Sequence, residues 1–233
     1  MPRRYSDYNT PHTQQLLNTL ADKTVSPADY SKAMTSLGES FGDIVRKKIS
    51  DSHSNIYLAS TVEDANYLAK GILSRLETYY HSISFACFWN QRFSPFDIPD
   101  LKIAPILKQY QEPTSSKVNC LIIVKSIISG ACVVKTNLTN LIQKIEPEQI
   151  FVVAPVIYKG AEQKLRNEFK EEIHRKFQFF YFARDDERKD SGEVVPGIGG
   201  MVYQRLGFDG QEDKNKYTPE IVKTRRKQML ARL

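Results

Sequence analysis

Two short stretches carry residue types that could do chemistry. Residues 125–133 read KSIISGACV. They follow the apolar run VNCLIIV and precede a segment in which Val134, Leu138, Leu141, Ile142 and Ile145 recur at helical spacing. A strand, a small-residue loop holding Ser129, Gly130 and Ala131, and a helix start together make a natural anion site. The first-turn N–H groups lack backbone acceptors and carry the positive end of the helix dipole. A phosphate cradle and a plain strand-to-helix turn both fit this pattern. The second stretch, residues 193–208, reads EVVPGIGGMVYQRLGF. Pro196, Gly197, Gly199 and Gly200 leave little side chain in the way, so the backbone can approach a small planar ligand and donate its own N–H groups. An ordinary glycine-rich surface turn fits the same composition.

Other chemistries find little support. His12, His53, His81 and His174 are scattered without the carboxylate or thiol spacing of a zinc site. Cys87, Cys120 and Cys132 each sit in an apolar stretch and are odd in number, which reads as reduced, buried thiols. Neither a nucleophile elbow nor a Walker loop is present. The net charge of +6 and pI near 9.1 favour anionic partners, phosphate ligands or nucleic acid. The N-terminus lacks the apolar core of a signal peptide and no segment is long enough to span a bilayer, so the expected location is the cytoplasm.

The elements that must position these stretches read as an α/β chain. Residues 1–8 are polar and expected to be loose. Thr10-Pro11 and Ser26-Pro27 are helix starts, the second opening an amphipathic helix to about Ile49, and together these helices form an N-terminal cap over residues 1–54. From Asn55 short apolar runs alternate with helical patterns, as in a parallel sheet with crossovers. Strands are expected at residues 56–59, 83–89, 118–124, 149–156 and 177–183, with a polar turn at 60–64. The proline-rich excursion 91–112 should carry one short strand near 103–107. This α/β domain spans 55–216, and residues 217–233 form a basic helix with Lys223, Arg225, Arg226, Lys227 and Arg232. Its charge fits a solvated face docked through Met229 and Leu230, or a nucleic-acid contact.

The stretch DERKDSGEVVPGIGG (186–200) resembles the uracil-binding signature of uracil phosphoribosyltransferases, Y-I-x-P-G-L-G-D, with Pro196, Gly197 and Gly199 matching. LIIVKSIISGACVV is similarly placed to that family's phosphate and ribose loop, and IYLASTVEDANYLAKGIL to its pyrophosphate loop and helix. The resemblance covers roughly residues 55–208. It implies the type I phosphoribosyltransferase fold, a mostly parallel sheet flanked by helices. It further implies a base held by backbone groups at Val194, Gly199, Gly200 and Met201, and a phosphoribosyl group held by Lys125, Ser126, Ser129, Gly130, Ala131, Cys132 and Val133. Magnesium would accompany an active transferase, since pyrophosphate substrates are handled as magnesium complexes.

The departures from the family fall on charge. Lys125 stands where an acid would orient the ribose hydroxyls, which replaces an acceptor by a donor. Residues 60–64 hold Glu63 and Asp64 and no arginine, so this loop would repel pyrophosphate. Gly200 replaces an aspartate. Two readings follow. One is phosphoribosyl transfer from phosphoribosyl pyrophosphate to uracil or a related base, a step of pyrimidine salvage, with Arg92 or Arg184 supplying the missing cation. The other is a catalytically lapsed binder of a nucleotide or sugar phosphate, working as a sensor or as a subunit of an assembly or homo-oligomer. For Lys125, a bond to a ligand phosphate, an ion pair with Asp185 or Asp186, and a solvated ammonium are the three options.

Overall fold

A computed structural model of the chain describes residues 3–49, 53–97, 102–115 and 117–231. Its first elements are β1 (Arg4–Tyr5), α1 (Pro11–Ala21), α2 (Pro27–Arg46), β2 (Ile56–Thr61), α3 (Val62–Asp64), a π-helical stretch (Ala65–Ala69) and α4 (Lys70–Leu76). There follow β3 (Ile83–Asn90), β4 (Ile106–Gln111), β5 (Lys117–Val124), β6 (Ile127–Ile128), α5 (Cys132–Ile142), β7 (Glu146–Val153) and β8 (Val156–Tyr158). Next come α6 (Ala161–Arg166), α7 (Glu171–His174), β9 (Phe177–Phe180), β10 (Ala183–Asp185), β11 (Glu187–Arg188) and β12 (Val194–Val195). The last helices are α8 (Val202–Arg205), α9 (Gln211–Lys216) and α10 (Glu220–Leu230).

The expected α/β architecture is present: a mostly parallel sheet flanked by helices. Its strand order is β4-β3-β2-β5-β7-β9, with only β4 antiparallel to its neighbour. Alternation along β2 divides the two faces, as the period of a strand requires. Ile56 and Leu58 join Leu68, Ile72 and Leu76 in one apolar cluster, which also takes Leu17, Tyr30, Met34 and Phe41 of α1 and α2. Tyr57 and Ala59 join Val134, Leu138 and Leu141 of α5 in the other. Helix starts obey their sequence signals: Thr10 and Thr13 form a reciprocal capping box, and Ser26 accepts from the Asp29 N–H. Where α2 crosses the π-helical stretch that leads into α4, a Cβ on Gly38 would lie 2.3 Å from the Leu68 carbonyl oxygen, so only glycine allows that approach.

Several boundaries differ from the sequence-based expectation. Residues 3–8 are not loose, because Arg4 and Tyr5 pair antiparallel with Arg184 and Ala183. Residues 60–64 are not a turn: Ser60 and Thr61 end β2 and the helix begins at Val62, with no break between them. The strand of the excursion lies at 106–111 rather than 103–107, and Ile103 makes only a bridge to Phe93. Residues 98–101 of that excursion, including Pro99, lie outside the described residues. The aromatic run 177–183 breaks at Tyr181-Phe182, and Ala183 moves into a second sheet of order β1-β10-β8-β6. The same break recurs at Lys125-Ser126 between β5 and β6, and at Ala154-Pro155 between β7 and β8. Three neighbouring strands therefore bend together above the main sheet. The terminal helix runs from Glu220 to Leu230 and is preceded by α9, which the sequence pattern does not announce; Arg232 lies outside the described residues.

Candidate functional site

From β2 the chain moves sideways to β3 through α4, and from β5 it moves the other way to β7 through α5, on the opposite face. Strands that part in this way leave a crevice at their carboxyl ends, the usual ligand position in open α/β sheets. Here that crevice holds an ion cluster. Lys125, the residue after β5, donates to Asp64 Oδ2 at 2.7 Å, Glu63 Oε1 at 3.3 Å and Ser126 Oγ at 3.2 Å. Thr61 donates to the same Asp64 Oδ2 at 2.7 Å. Lys125 is 8% exposed and Asp64 is fully buried. Burial works against the Lys125 ammonium, but Asp64 and then Glu63 outweigh it and hold its pKa above the usual lysine value. Burial likewise works to raise Glu63, and Lys125 followed by Lys214 pulls it below the ordinary carboxylate range. Both groups are held charged.

This geometry corrects one expectation about Lys125. Its partners are Glu63 and Asp64, not Asp185 or Asp186. Asp185 is taken by Arg3, which donates to both its oxygens at 2.8 Å, and Asp185 Oδ2 also accepts the Gly197 N–H at 2.7 Å. Arg184, expected as a spare cation, has Nε 3.7 Å from Asp186 Oδ1.

The two glycine-bearing loops meet beside the cluster. A Cβ at Gly197 would lie 3.6 Å from Ile127 Cδ1, which places the turn after β12 against the segment that leads into α5. Ser129, Gly130 and Ala131 close that segment, and α5 starts at Cys132 without a side-chain cap. Space around Gly130 is open, with no atom within 4 Å of a Cβ built there. Burial, and to a lesser degree the Glu168 carboxylate, pushes the Cys132 thiol up, while the positive charges of Arg92, Lys135 and Lys164 act on it in the opposite sense; Lys135 is itself paired with Glu168. Val133, in the first turn of α5, is buried. In the second loop, Val194 is buried and Met201 half-exposed. A Cβ at Gly199 would sit 2.3 Å from the Leu20 carbonyl oxygen, so the close approach at that glycine is made by the end of α1. The Tyr30 hydroxyl, from α2, donates to the Ile198 carbonyl at 3.1 Å. Gly200 faces more open space: chain neighbours aside, the atom nearest to a Cβ built there is Glu193 Oε1, at 4.0 Å.

A roof over the crevice comes from residues the sequence did not single out. Lys214 of α9 is 4% exposed and donates to the Asn90 carbonyl at 2.7 Å. The Asn90 side chain exchanges hydrogen bonds of 2.8 and 3.0 Å with Asn137 of α5, and donates to the Ala104 carbonyl at 3.1 Å. Trp89 Nε1 donates to the Tyr217 carbonyl at 2.8 Å. Isolated polar residues such as Lys214 and Asn137 have no periodic signature, so their burial emerges only from the assembled fold.

Magnesium does not fit as a protein-held ion. Among the described residues no group of three or more His, Cys, Asp or Glu side chains could hold a metal, and the two crevice carboxylates already have the Lys125 ammonium between them. Among those residues, too, no helix is long and apolar enough to cross a membrane.

No protein-family model and no curated protein matches the chain. Among solved structures it is similar to the AQ2163 protein from Aquifex aeolicus, with 14% identity and a TM-score of 0.68 over 85% of this chain and 95% of that one. Two weaker likenesses are a hypothetical protein from Neisseria gonorrhoeae with bound ppGpp and a hypoxanthine phosphoribosyltransferase from Staphylococcus aureus. The first has 8% identity and a TM-score of 0.45 over 66% of this chain and 80% of that one. The second has 12% identity and a TM-score of 0.41 over 73% of this chain and 80% of that one. The first likeness is one of fold alone, and the two weaker ones carry no argument about activity.

Proposed function

We propose that this chain is a phosphoribosyltransferase-like binding protein that takes a nucleotide or a ribose phosphate at the mouth between residues 125–133 and 194–201, without transferring phosphoribose. The observation that carries this reading is the contact of Lys125 Nζ with Asp64 Oδ2 at 2.7 Å. Transfer requires the leaving pyrophosphate to be met by positive charge in a preorganised site. At the end of β2 this chain instead presents two carboxylates, and the ammonium nearest to them is committed to neutralising them. On the other side of the mouth, the uncapped start of α5, with the positive charge of Arg92 acting on Cys132 there, favours one phosphate group. Met201 and the open side of Gly200 leave room for a base beside the loop that Ile127 touches.

Calorimetric titration with uridine monophosphate, run beside a pyrophosphate-release assay with phosphoribosyl pyrophosphate, uracil and magnesium, tests the reading. The expected result is saturable nucleotide binding that Arg92→Ala weakens, and no pyrophosphate release above the uncatalysed background. Release that depends on both the base and the protein would restore the transferase reading. Absence of binding by nucleotide and by ribose 5-phosphate alike would remove the site.

A further inference from the structure

The loop at residues 194–201 has its central backbone groups engaged by the protein itself. The Gly197 N–H donates to Asp185 Oδ2 at 2.7 Å, and the Gly197 carbonyl accepts from Arg3. The Ile198 carbonyl accepts from the Tyr30 hydroxyl at 3.1 Å, and the Met201 carbonyl from the Arg205 N–H at 3.0 Å. The Val194 carbonyl oxygen turns back under Gly197, 2.3 Å from where a Cβ on that residue would stand. At Gly199 the equivalent position lies 2.3 Å from the Leu20 carbonyl oxygen and 3.3 Å from that of Ala21, so the end of α1 occupies the face that the missing side chain leaves open. That end is clamped in place. Arg205 donates to the Asp22 carbonyl at 2.6 Å and to the Lys23 carbonyl at 2.9 Å, and its guanidinium lies 4.8 Å from the centre of the Tyr30 ring. Lys23 Nζ in turn is 3.4 Å from Glu193 Oε1, at the start of the loop.

Telling one base from another takes several donors and acceptors set against its edge, because the wrong base is rejected by leaving polar groups of the site unpaired. Here Gly197, the Ile198 carbonyl and the Met201 carbonyl are engaged, and Gly199 is covered by α1. Among the glycines of the loop, Gly200 faces open space, and one residue brings a single N–H and a single C=O. Met201 beside it is half-exposed and offers apolar contact, which is non-directional and suits every base alike. The phosphate side of the mouth is open by contrast: α5 starts without a side-chain cap, and nothing lies within 4 Å of a Cβ built on Gly130. We infer that recognition runs through the phosphate end of the ligand and leaves the base unread, so that the ligand class is a ribose 5-phosphate monoester, with or without a base and irrespective of which base. This rests on the site proposed above and narrows what that site distinguishes.

Calorimetric titration of the full-length chain with the 5′-monophosphates of uridine, cytidine and adenosine, and with ribose 5-phosphate, tests this. The dissociation constants should fall within about threefold of one another, less than the roughly tenfold that one good hydrogen bond to a base would give. Hydrogen exchange supplies a second readout. Saturation with uridine monophosphate and with ribose 5-phosphate should slow exchange equally at residues 129–134, and should leave residues 194–201 at the rates of the unliganded protein. A preference of about tenfold or more for one base over the others, or over ribose 5-phosphate, would overturn the inference. Protection of residues 194–201 by the nucleotide alone would overturn it as well. Either result leaves the function proposed above standing, since a ligand binds. Absence of binding by all the compounds removes that function, and this inference falls with it.

Discussion

Arg3 and Asp185 are 182 positions apart in the chain and meet through two parallel hydrogen bonds of 2.8 Å. The Arg3 side chain is 7% exposed and the Asp185 side chain fully buried. Arg3 donates in addition to the Gly197 carbonyl, while Asp185 accepts the N–H of the same residue, so both backbone groups of Gly197 are gripped by one ion pair. Removing one partner of such a pair leaves a buried charge exposed to no solvent. Arg3→Ala should therefore cost about 3 kcal/mol, and hydrogen exchange at residues 194–200 should accelerate more than in β5 or β7. Uniform acceleration across the sheet would show that the contact stabilises the fold without setting the loop.

Lys125 should behave as a structural cation. Lys125→Met alone is expected to lose about 3–5 kcal/mol in urea unfolding, because it strands Glu63 and Asp64 without a counter-charge. Adding Glu63→Gln and Asp64→Asn to the same chain should recover most of that loss, since a buried ion cluster replaced as a whole is often near neutral in stability. Equal stability of the single and triple variants would rule out the coupling.

The same cluster fixes a pH dependence. The lowered Glu63 contributes stability that is present above the unfolded carboxyl value, near 4.5, and is lost as pH falls through its folded value below that. The raised Lys125 contributes stability that is present below 10.5 and is lost as pH rises through its folded value above that. Urea midpoints should form a plateau between these limits. Glu63→Gln should flatten the fall on the acid side; curves for variant and parent that stay parallel below pH 4.5 would contradict the assignment.

Gly199 has φ of +75° and faces the Leu20 carbonyl. Gly199→Ala adds both a left-handed backbone penalty and a backbone clash, so a loss of roughly 2 kcal/mol or more is expected. Gly130→Ala, at a position with open space and no positive φ, should leave the melting temperature within a degree or two. A larger fall at Gly130 than at Gly199 would reverse the roles given to the two loops.

Regular elements with dense apolar periodicity were legible from sequence: β5, the helices opened by Thr10-Pro11 and Ser26-Pro27, and α5 follow patterns that period and caps determine locally. Less legible was anything decided by contact between distant segments. β1 is two residues long and exists because Ala183 and Arg184 are there to pair with it. Lys125 could be recognised as out of place for a ribose-binding acid, and Glu63 and Asp64 as out of place for a pyrophosphate loop. That these anomalies are one ion cluster follows only from β2 and β5 lying side by side, with Ser60 opposite Val124. Lys214 carries no local signal, being a lysine in a six-residue polar helix whose burial depends on what lies beneath.

The π-helical stretch Ala65–Ala69 holds Asn66, whose side chain meets both the Tyr217 hydroxyl and the Ile221 N–H. A π-turn accommodates an extra residue within an otherwise α-helical path. Length here is therefore a separable variable: deleting Tyr67 should let the helix close as a continuous α-helix, with residues 70–76 keeping their seat on the sheet. What shifts is the angular position of Asn66, and with it the anchorage of everything after Tyr217. A deletion variant that stays folded, yet loses protection against proteolysis only beyond residue 208, would show that one inserted residue sets where the C-terminal segment lands. Intact protection there, or collapse of the whole fold, would deny it that role.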